Sequence, residues 1–272
     1  MSDRSGSRLR ALLLASHPAP CAAVTLLTAL LAAGVGHTFL RGLLVTAAVG
    51  TGQLTIGWSN DLIDAARDRE TGRQDKPVAK GLVSAKLVGR ATAVALVACV
   101  VLSLACGLRS GSVHLLLGVS SGWAYNLVLK RTVWSAVPYA LAFGSLPAVV
   151  TLALPEPHLP AWWTLAVGAL LGVGAHLLNA LPDLADDART GIHGLPHRLG
   201  AGRVRVLAPL VLLAASALAA IGPGRADSPG PWVALGLCGA LAALAVAGRG
   251  RLPFLAAIAI ALVDVVSLVI RA

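Results

Sequence analysis

Charge is scarce in this chain. Only 12% of its 272 residues are charged, 57% are hydrophobic, and the mean hydropathy is +0.79. That composition excludes an ordinary soluble domain, in which about a quarter of residues carry charge. Acids are the scarcer sign, 12 against 22 Lys and Arg. Four cysteines, Cys21, Cys99, Cys106 and Cys238, lie scattered inside apolar runs, which excludes a disulfide framework or a zinc site and leaves them as packing residues. Aromatic residues make up 4%, so a cavity wall rich in cation-stabilising rings is not legible.

What the chain has is long apolar runs. A membrane-crossing helix needs about 20 mostly apolar residues, and runs of that kind fall near 18–36, 42–63, 86–107, 112–129, 133–154, 161–181, 204–222, 230–247 and 252–270. The expectation is an all-α integral membrane protein of about nine transmembrane helices, a single polytopic unit over 1–272. Pro18 and Pro20 interrupt the first run, so it reads as an uncleaved helix and not as a secretory signal. Cytoplasmic loops retain Lys and Arg. Placing the N-terminus in the cytoplasm leaves only Arg41, Arg109, Arg225 and Arg271 outside. The net charge of +10 therefore reads as membrane topology and not as a nucleic-acid footprint, because the basic residues sit in short inter-helix loops. No protein partner is inferred.

The few acids are concentrated. The segments 60–81 (NDLIDAARDRETGRQDKPVAKG) and 179–200 (NALPDLADDARTGIHGLPHRLG) align without a gap at an offset of 119. Asn60, Asp64, Asp68, Thr71, Gly72, Pro77 and Gly81 fall on Asn179, Asp183, Asp187, Thr190, Gly191, Pro196 and Gly200. Self-similarity of this kind marks a duplicated unit. The expected organisation is a first repeat over about 11–130, a second over about 131–248 and an extra helix over about 251–270. Residues four apart on a helix differ by about 40° around the axis, so Asn60, Asp64 and Asp68 form one stripe, and Asn179, Asp183 and Asp187 another. Gly72 and Gly191 stand where a helix C-cap favours glycine. Pro182 removes a backbone hydrogen bond just before Asp183, and a kink tilting the second stripe inward is expected.

Eight of the 12 acids lie in these segments. Unpaired at a membrane boundary, such carboxylates repel one another, and they call for a cation. Oxygen donors without cysteine or paired helical histidines suit magnesium, which takes one or two carboxylates, waters and substrate phosphate oxygens. Arg67, Arg73, Lys76 and Lys80 beside the first stripe, Arg189 and Arg198 beside the second, and Lys130 and Arg131 from another loop are placed to contact phosphate. His193 and His197 read as loop histidines, because Gly194 and Pro196 break any helix between them. His17, His37, His114 and His176 read as single packing or interface residues. Asp264, alone in the last span, has a structural or a functional partner.

NDLIDAARD with DKPVAKGLVS, and NALPDLADD with TGIHGLPHRLG, resemble the two signature regions of the UbiA superfamily of intramembrane prenyltransferases, and YNLVLKRT at 125–132 resembles a third family segment. The resemblance implies helices around a central cavity with a prenyl diphosphate held over it by Mg2+. Asn60, Asp64, Asp68, Asp183 and Asp187 would be metal and diphosphate ligands, with Asn179 beside them, and Arg67, Lys76, Lys130 and Arg131 phosphate contacts. The implied activity is transfer of a prenyl group to a small-molecule acceptor, expected to be aromatic or a quinone precursor, in the cell membrane. Family members acting on aromatic acids commonly carry a basic residue near the start of the first helix. Here that stretch reads SHPAPC, with His17 its only polar candidate. The alternatives are a related membrane terpene cyclase, in which the carbocation is quenched internally, and a secondary transporter, whose acids would lie nearer the bilayer midplane.

Overall fold

The computed structural model describes residues 2–72, 76–189, 191–222 and 228–271, so Arg73, Asp75, Thr190 and Arg225 lie outside the described residues. Every regular element among the described residues is helical. In chain order these are α1 (Ser2–Ala15), α2 (Pro18–Gly34), α3 (Phe39–Glu70), α4 (Ala85–Ala105), α5 (Leu108–Val113), a π turn (His114–Val119), α6 (Ser120–Leu127) and α7 (Val137–Thr151). Then follow α8 (Trp162–Ala180), α9 (Leu184–Arg189), α10 (Leu195–Leu199), α11 (Ala201–Ile221), α12 (Pro229–Ala247) and α13 (Leu252–Arg271).

Among the described residues seven helices are long and apolar enough to cross a membrane: α3, α4, Val133–Thr151, Trp162–Asp183, α11, α12 and Leu252–Ile270. An eighth candidate is a broken pair, Ser7–Ala15 with Pro18–Gly34, bent by 67°. The run expected near 112–129 is helical but not one α-helix. Its middle is the π turn, where the Ser120 hydroxyl reaches back five residues to the Leu115 carbonyl at 2.8 Å. Large apolar side chains face outward along the helices, Val94, Val97 and Val101 on α4 and Val233 and Leu237 on α12 among them. That inversion suits lipid and would be an aggregation hazard in water.

The largest buried cluster joins α8, α11, α12 and α13 around Leu178, Leu212 and Ile260. Within it the lone intramembrane acid has structural partners: Ser216 donates to Asp264 at 2.9 Å, and the Cys238 thiol lies 3.5 Å from its other oxygen. A second cluster packs Ala11 and Ala15 of α1 against Trp58 and Ala65 of α3 and against Val78, Val83 and Val88. Here Gly57 is required by close approach, because a Cβ at that position would stand 2.1 Å from the Ser16 carbonyl oxygen. The Trp58 indole then donates to the Leu12 carbonyl at 2.9 Å. The α1–α2 corner is thereby fixed on α3, with His17 in the left-handed region at φ 55.

Candidate active site

At 32 residues, α3 is about 48 Å long, well beyond the roughly 30 Å of a hydrocarbon core. Its last turns carry the first acidic stripe. Asp64 and Asp68 are only 4% and 2% exposed, and a carboxylate so enclosed must be compensated. Three basic side chains do this. Lys130 donates to Asp64; Arg67 reaches Asp64 at 3.0 Å and Asp68 at 3.5 Å; Lys76 lies 3.8 Å from Asp68. Lys76 also donates to Asn60 at 3.0 Å and meets His17 Nε2 at 3.2 Å. Lys130 sits in the short turn after α6, where burial pushes its pKa down while the Asp64 carboxylate works in the opposite sense.

Two residues without an assigned role from the sequence complete this half. Asn126 on α6 accepts from Asn60 at 3.2 Å and donates to the Ile56 carbonyl and the Ser59 hydroxyl, both at 2.9 Å. It stands one helical turn before Lys130, and that spacing was the available signal. Asp61, off the stripe, accepts from the Val78 backbone N–H at 3.1 Å and lies 3.6 Å from Lys76. It anchors the loop that delivers Lys76.

The aligned glycines of the two segments share their backbone conformation. Gly72 and Gly191 have φ +66 and +77, and Gly81 and Gly200 have φ +71 and +78, a conformation that excludes side-chain-bearing residues at little cost only when glycine is present. The break at Pro182 is sharper than a bend: α8 stops at Ala180, a 3-10 turn covers Leu181–Asp183, and α9 carries Asp186 and Asp187. Asp183 and Asp187 are half-buried and Asn179 is exposed. Asp187 lies 3.7 Å from His197, whose pKa burial lowers, with His193 adding to the effect. Asp186 pairs with Arg189 at the surface. Arg131 is exposed beside Lys130.

The two halves meet around the loop between α6 and α7. Gly194 packs against it so tightly that a Cβ would come 2.6 Å from the Lys130 carbonyl oxygen. The Leu195 N–H donates to Ser135 Oγ at 2.9 Å, and Ser135 meets His176 Nε2 at 3.0 Å. Tyr125 on α6 belongs to the same junction. Beside it lie Tyr139, with ring centroids 5.1 Å apart, and His176 at 5.6 Å. The sequence scan missed this aromatic group, because its members are distant in the chain and carry no common motif.

Among the described residues no three acids, histidines or cysteines close into a ready-made metal cage. The donor set is carboxylate and amide oxygen, and Asp68 Oδ2 is buried without a hydrogen-bond donor. The residues present therefore fit a hard cation shared with an anionic ligand, and Arg67 Nη1, also buried without a partner, fits an incoming phosphate oxygen.

Fold and site together define a multi-pass helical membrane protein with a cation-rich, carboxylate-lined site at one end of its bundle. The profile of the UbiA prenyltransferase family matches residues 21–263, and the chain belongs to that family. No curated protein matches it significantly. Among solved structures, a UbiA homolog from Archaeoglobus fulgidus bound to GPP and Mg2+ is 16% identical with a TM-score of 0.72, covering 96% of this chain and 100% of that one. The apo UbiA homolog from Aeropyrum pernix K1 is 16% identical with a TM-score of 0.73, covering 97% and 98%. A digeranylgeranylglyceryl phosphate synthase is 17% identical with a TM-score of 0.67, covering 97% and 98%. These likenesses establish a shared fold.

Proposed function

We propose that this chain transfers a prenyl group from an allylic prenyl diphosphate to a small-molecule acceptor, with Mg2+ as cofactor and an aromatic compound or quinone precursor as acceptor. The observation that carries the reading is the convergence of Arg67, Lys76 and Lys130 on the enclosed carboxylates Asp64 and Asp68, with Gly194 of the second segment packed against the Lys130 backbone. Relatives of the same fold support it: the Archaeoglobus fulgidus homolog holds GPP and Mg2+, or DMAPP and Mg2+. Magnesium held by Asn60, Asp64, Asp68, Asp183 and Asp187 would neutralise charge on the diphosphate and ease its departure.

The chain's own residues do the rest. Arg67, Lys76 and Lys130 bind the phosphate oxygens and stabilise the charge that grows on them as the C–O bond breaks. Asn126 holds Asn60 in register, and Asp61 holds the loop of Lys76. Asn179 and Arg131 border the site from the second segment and the α6–α7 loop. The apolar helix surfaces around the site shield the allylic cation from water until the acceptor's electrons capture it. The acceptor then loses a proton. The positive-inside pattern of the loops supports a cytoplasmic position for this site and the N-terminus at the cell membrane.

The test is to incubate purified protein, Mg2+ and labelled prenyl diphosphate with a membrane-plus-cytosol extract and identify the product by mass spectrometry. A prenylated aromatic or quinonoid compound is expected. A cyclised hydrocarbon formed without acceptor would make the chain a terpene cyclase, and the absence of any labelled product would overturn the reading.

A further inference from the structure

The two acidic segments share their glycines but not their cations. At the offset that aligns them, Arg67 and Lys76, the side chains that reach Asp68, fall on Asp186 and Leu195. Arg73 and Lys80 fall on Ile192 and Leu199. Asp187, aligned with Asp68, thus has no in-register counterpart of those basic side chains on its own segment. The arginines peculiar to the second segment are exposed and turned to other tasks: Arg189 pairs with Asp186, and Arg198 donates to the His193 carbonyl at 3.4 Å. What the second segment has instead is His197, at the position of Val78 in the first. Its sequence context reads as a loop, but it stands on the short helix α10.

The His197 side chain is only 7% exposed, and its Nε2 lies 3.7 Å from Asp187 Oδ2. Both ring nitrogens are buried without a hydrogen-bond partner among the described residues. Buried polar groups of this kind are ordinarily bonded, and the Asp187 carboxylate is the acceptor within reach: a shift of about 0.5–1 Å closes the gap. The backbone keeps the ring in place. The Ile192 N–H donates to the Asp187 carbonyl at 3.0 Å, with the Ile192 side chain buried beneath it. Leu195, two residues before His197, is bonded through its N–H to Ser135, and Gly194 packs on the Lys130 carbonyl. The stretch leading into α10 is thereby tied to the backbone of Asp187 on one side, and on the other to the loop that brings Lys130 to Asp64.

We infer that His197 is a positioning residue, whose Nε2–H donates to one oxygen of Asp187 and leaves the other for the Mg2+ ion, so that it orients Asp187 as Arg67 and Lys76 orient Asp68. This assignment rests on the proposed prenyl-transfer reading, which makes Asp187 a magnesium ligand. Carboxylates that ligate a metal are themselves held by hydrogen bonds, and those outer partners set affinity through the ligand they orient. A neutral imidazole does this without placing a further positive charge beside the ion. The first segment uses cations at the same point, where they also have phosphate oxygens to bind.

The experiment compares the wild-type protein with His197→Gln, which keeps an N–H donor, and His197→Leu, which removes it. The quantity read is the Mg2+ concentration that half-saturates thermal stabilisation by an unreactive thiolodiphosphate analogue of geranyl diphosphate, a measure of binding that needs no turnover. His197→Leu is expected to require about tenfold more Mg2+ or above, and His197→Gln to recover most of that loss. Combined with Asp187→Asn, His197→Leu is expected to add nothing, because a residue that acts through Asp187 has no effect once that carboxylate is gone. Histidine nitrogen NMR of the wild-type protein provides a second measurement, with the His197 signal identified by its loss in His197→Gln. Its Nε2 proton should exchange more slowly with water when Mg2+ and the analogue are added. Where His197→Leu does not fold, or Asp187→Asn binds no Mg2+, that spectrum decides. A wild-type Mg2+ requirement in His197→Leu, a Gln variant as weak as the Leu variant, additive losses in the double variant or an unchanged His197 proton would overturn the assignment and leave diphosphate binding standing. A wild-type protein that Mg2+ and the analogue do not stabilise would overturn the functional reading, and this inference with it.

Discussion

The buried carboxylates Asp64 and Asp68 are the residues on which the proposed function turns. Asp64 is enclosed and held by Lys130 and Arg67, so Asp64→Asn keeps the volume and removes the charge. A loss of about 10²-fold or more in kcat is expected, and the same for Asp183→Asn. Asp186→Asn, at the surface with Arg189, should leave the rate within about twofold, since exposed pairs contribute little. Asp61→Asn belongs to another class, because Asp61 tethers Val78 and Lys76 and acts by placing the loop. Thermal unfolding in detergent should show it less stable, with a smaller rate loss than Asp64→Asn. A scan in which Asp61 and Asp186 were essential while Asp64 and Asp183 were dispensable would overturn this division. The stripe residues could be read from their four-residue spacing. Asn126 and Ser135 could not, because their roles come from contacts between helices distant in sequence, which no local period encodes.

Breaks between helices position the site. Pro182 was legible as a kink, and the structure replaces the kink with a 3-10 turn followed by a separate short helix. Pro182→Ala should favour a continuous helix from α8 into α9, relieving the proline penalty of about 3 kcal/mol while moving Asp183 and Asp187. The expected result is a protein at least as stable with activity lowered by about 10²-fold, the scale of a 1 Å misplacement. At the other corner, Gly57→Ala forces a methyl group onto the Ser16 carbonyl, and overpacking of this kind costs about 1–3 kcal/mol. Its melting temperature should fall, and activity with it, because the same corner carries His17 to Lys76. The turn glycines at 72, 81, 191 and 200 were visible in the repeat, since glycine alone tolerates their φ values cheaply. The π turn inside 108–127 left no such mark, as it is made by backbone hydrogen bonds that no side-chain pattern encodes.

For the whole molecule, the membrane character and the helical class followed from apolar run length alone, because a bilayer leaves few ways to satisfy a backbone. Among the described residues seven helices meet the length and hydropathy expected of spans, eight with the bent α1–α2 pair. The count from apolar runs was harder to fix where helices break, since a kinked or π-containing segment has the composition of a span without its continuity. The enclosure of the rings was invisible for a different reason: composition counts aromatic residues, whereas the fold gathers them.

In the proposed function the two acidic segments, far apart in sequence, serve one diphosphate. Its most direct test is magnesium-dependent release of diphosphate from geranyl or dimethylallyl diphosphate by the purified protein, with Asp64→Asn and Asp183→Asn assayed alongside. Release that requires Mg2+, is abolished by chelation and falls by about 10²-fold or more in each variant is the expected result. Release indifferent to magnesium, or lost in one variant and untouched in the other, would contradict a shared site.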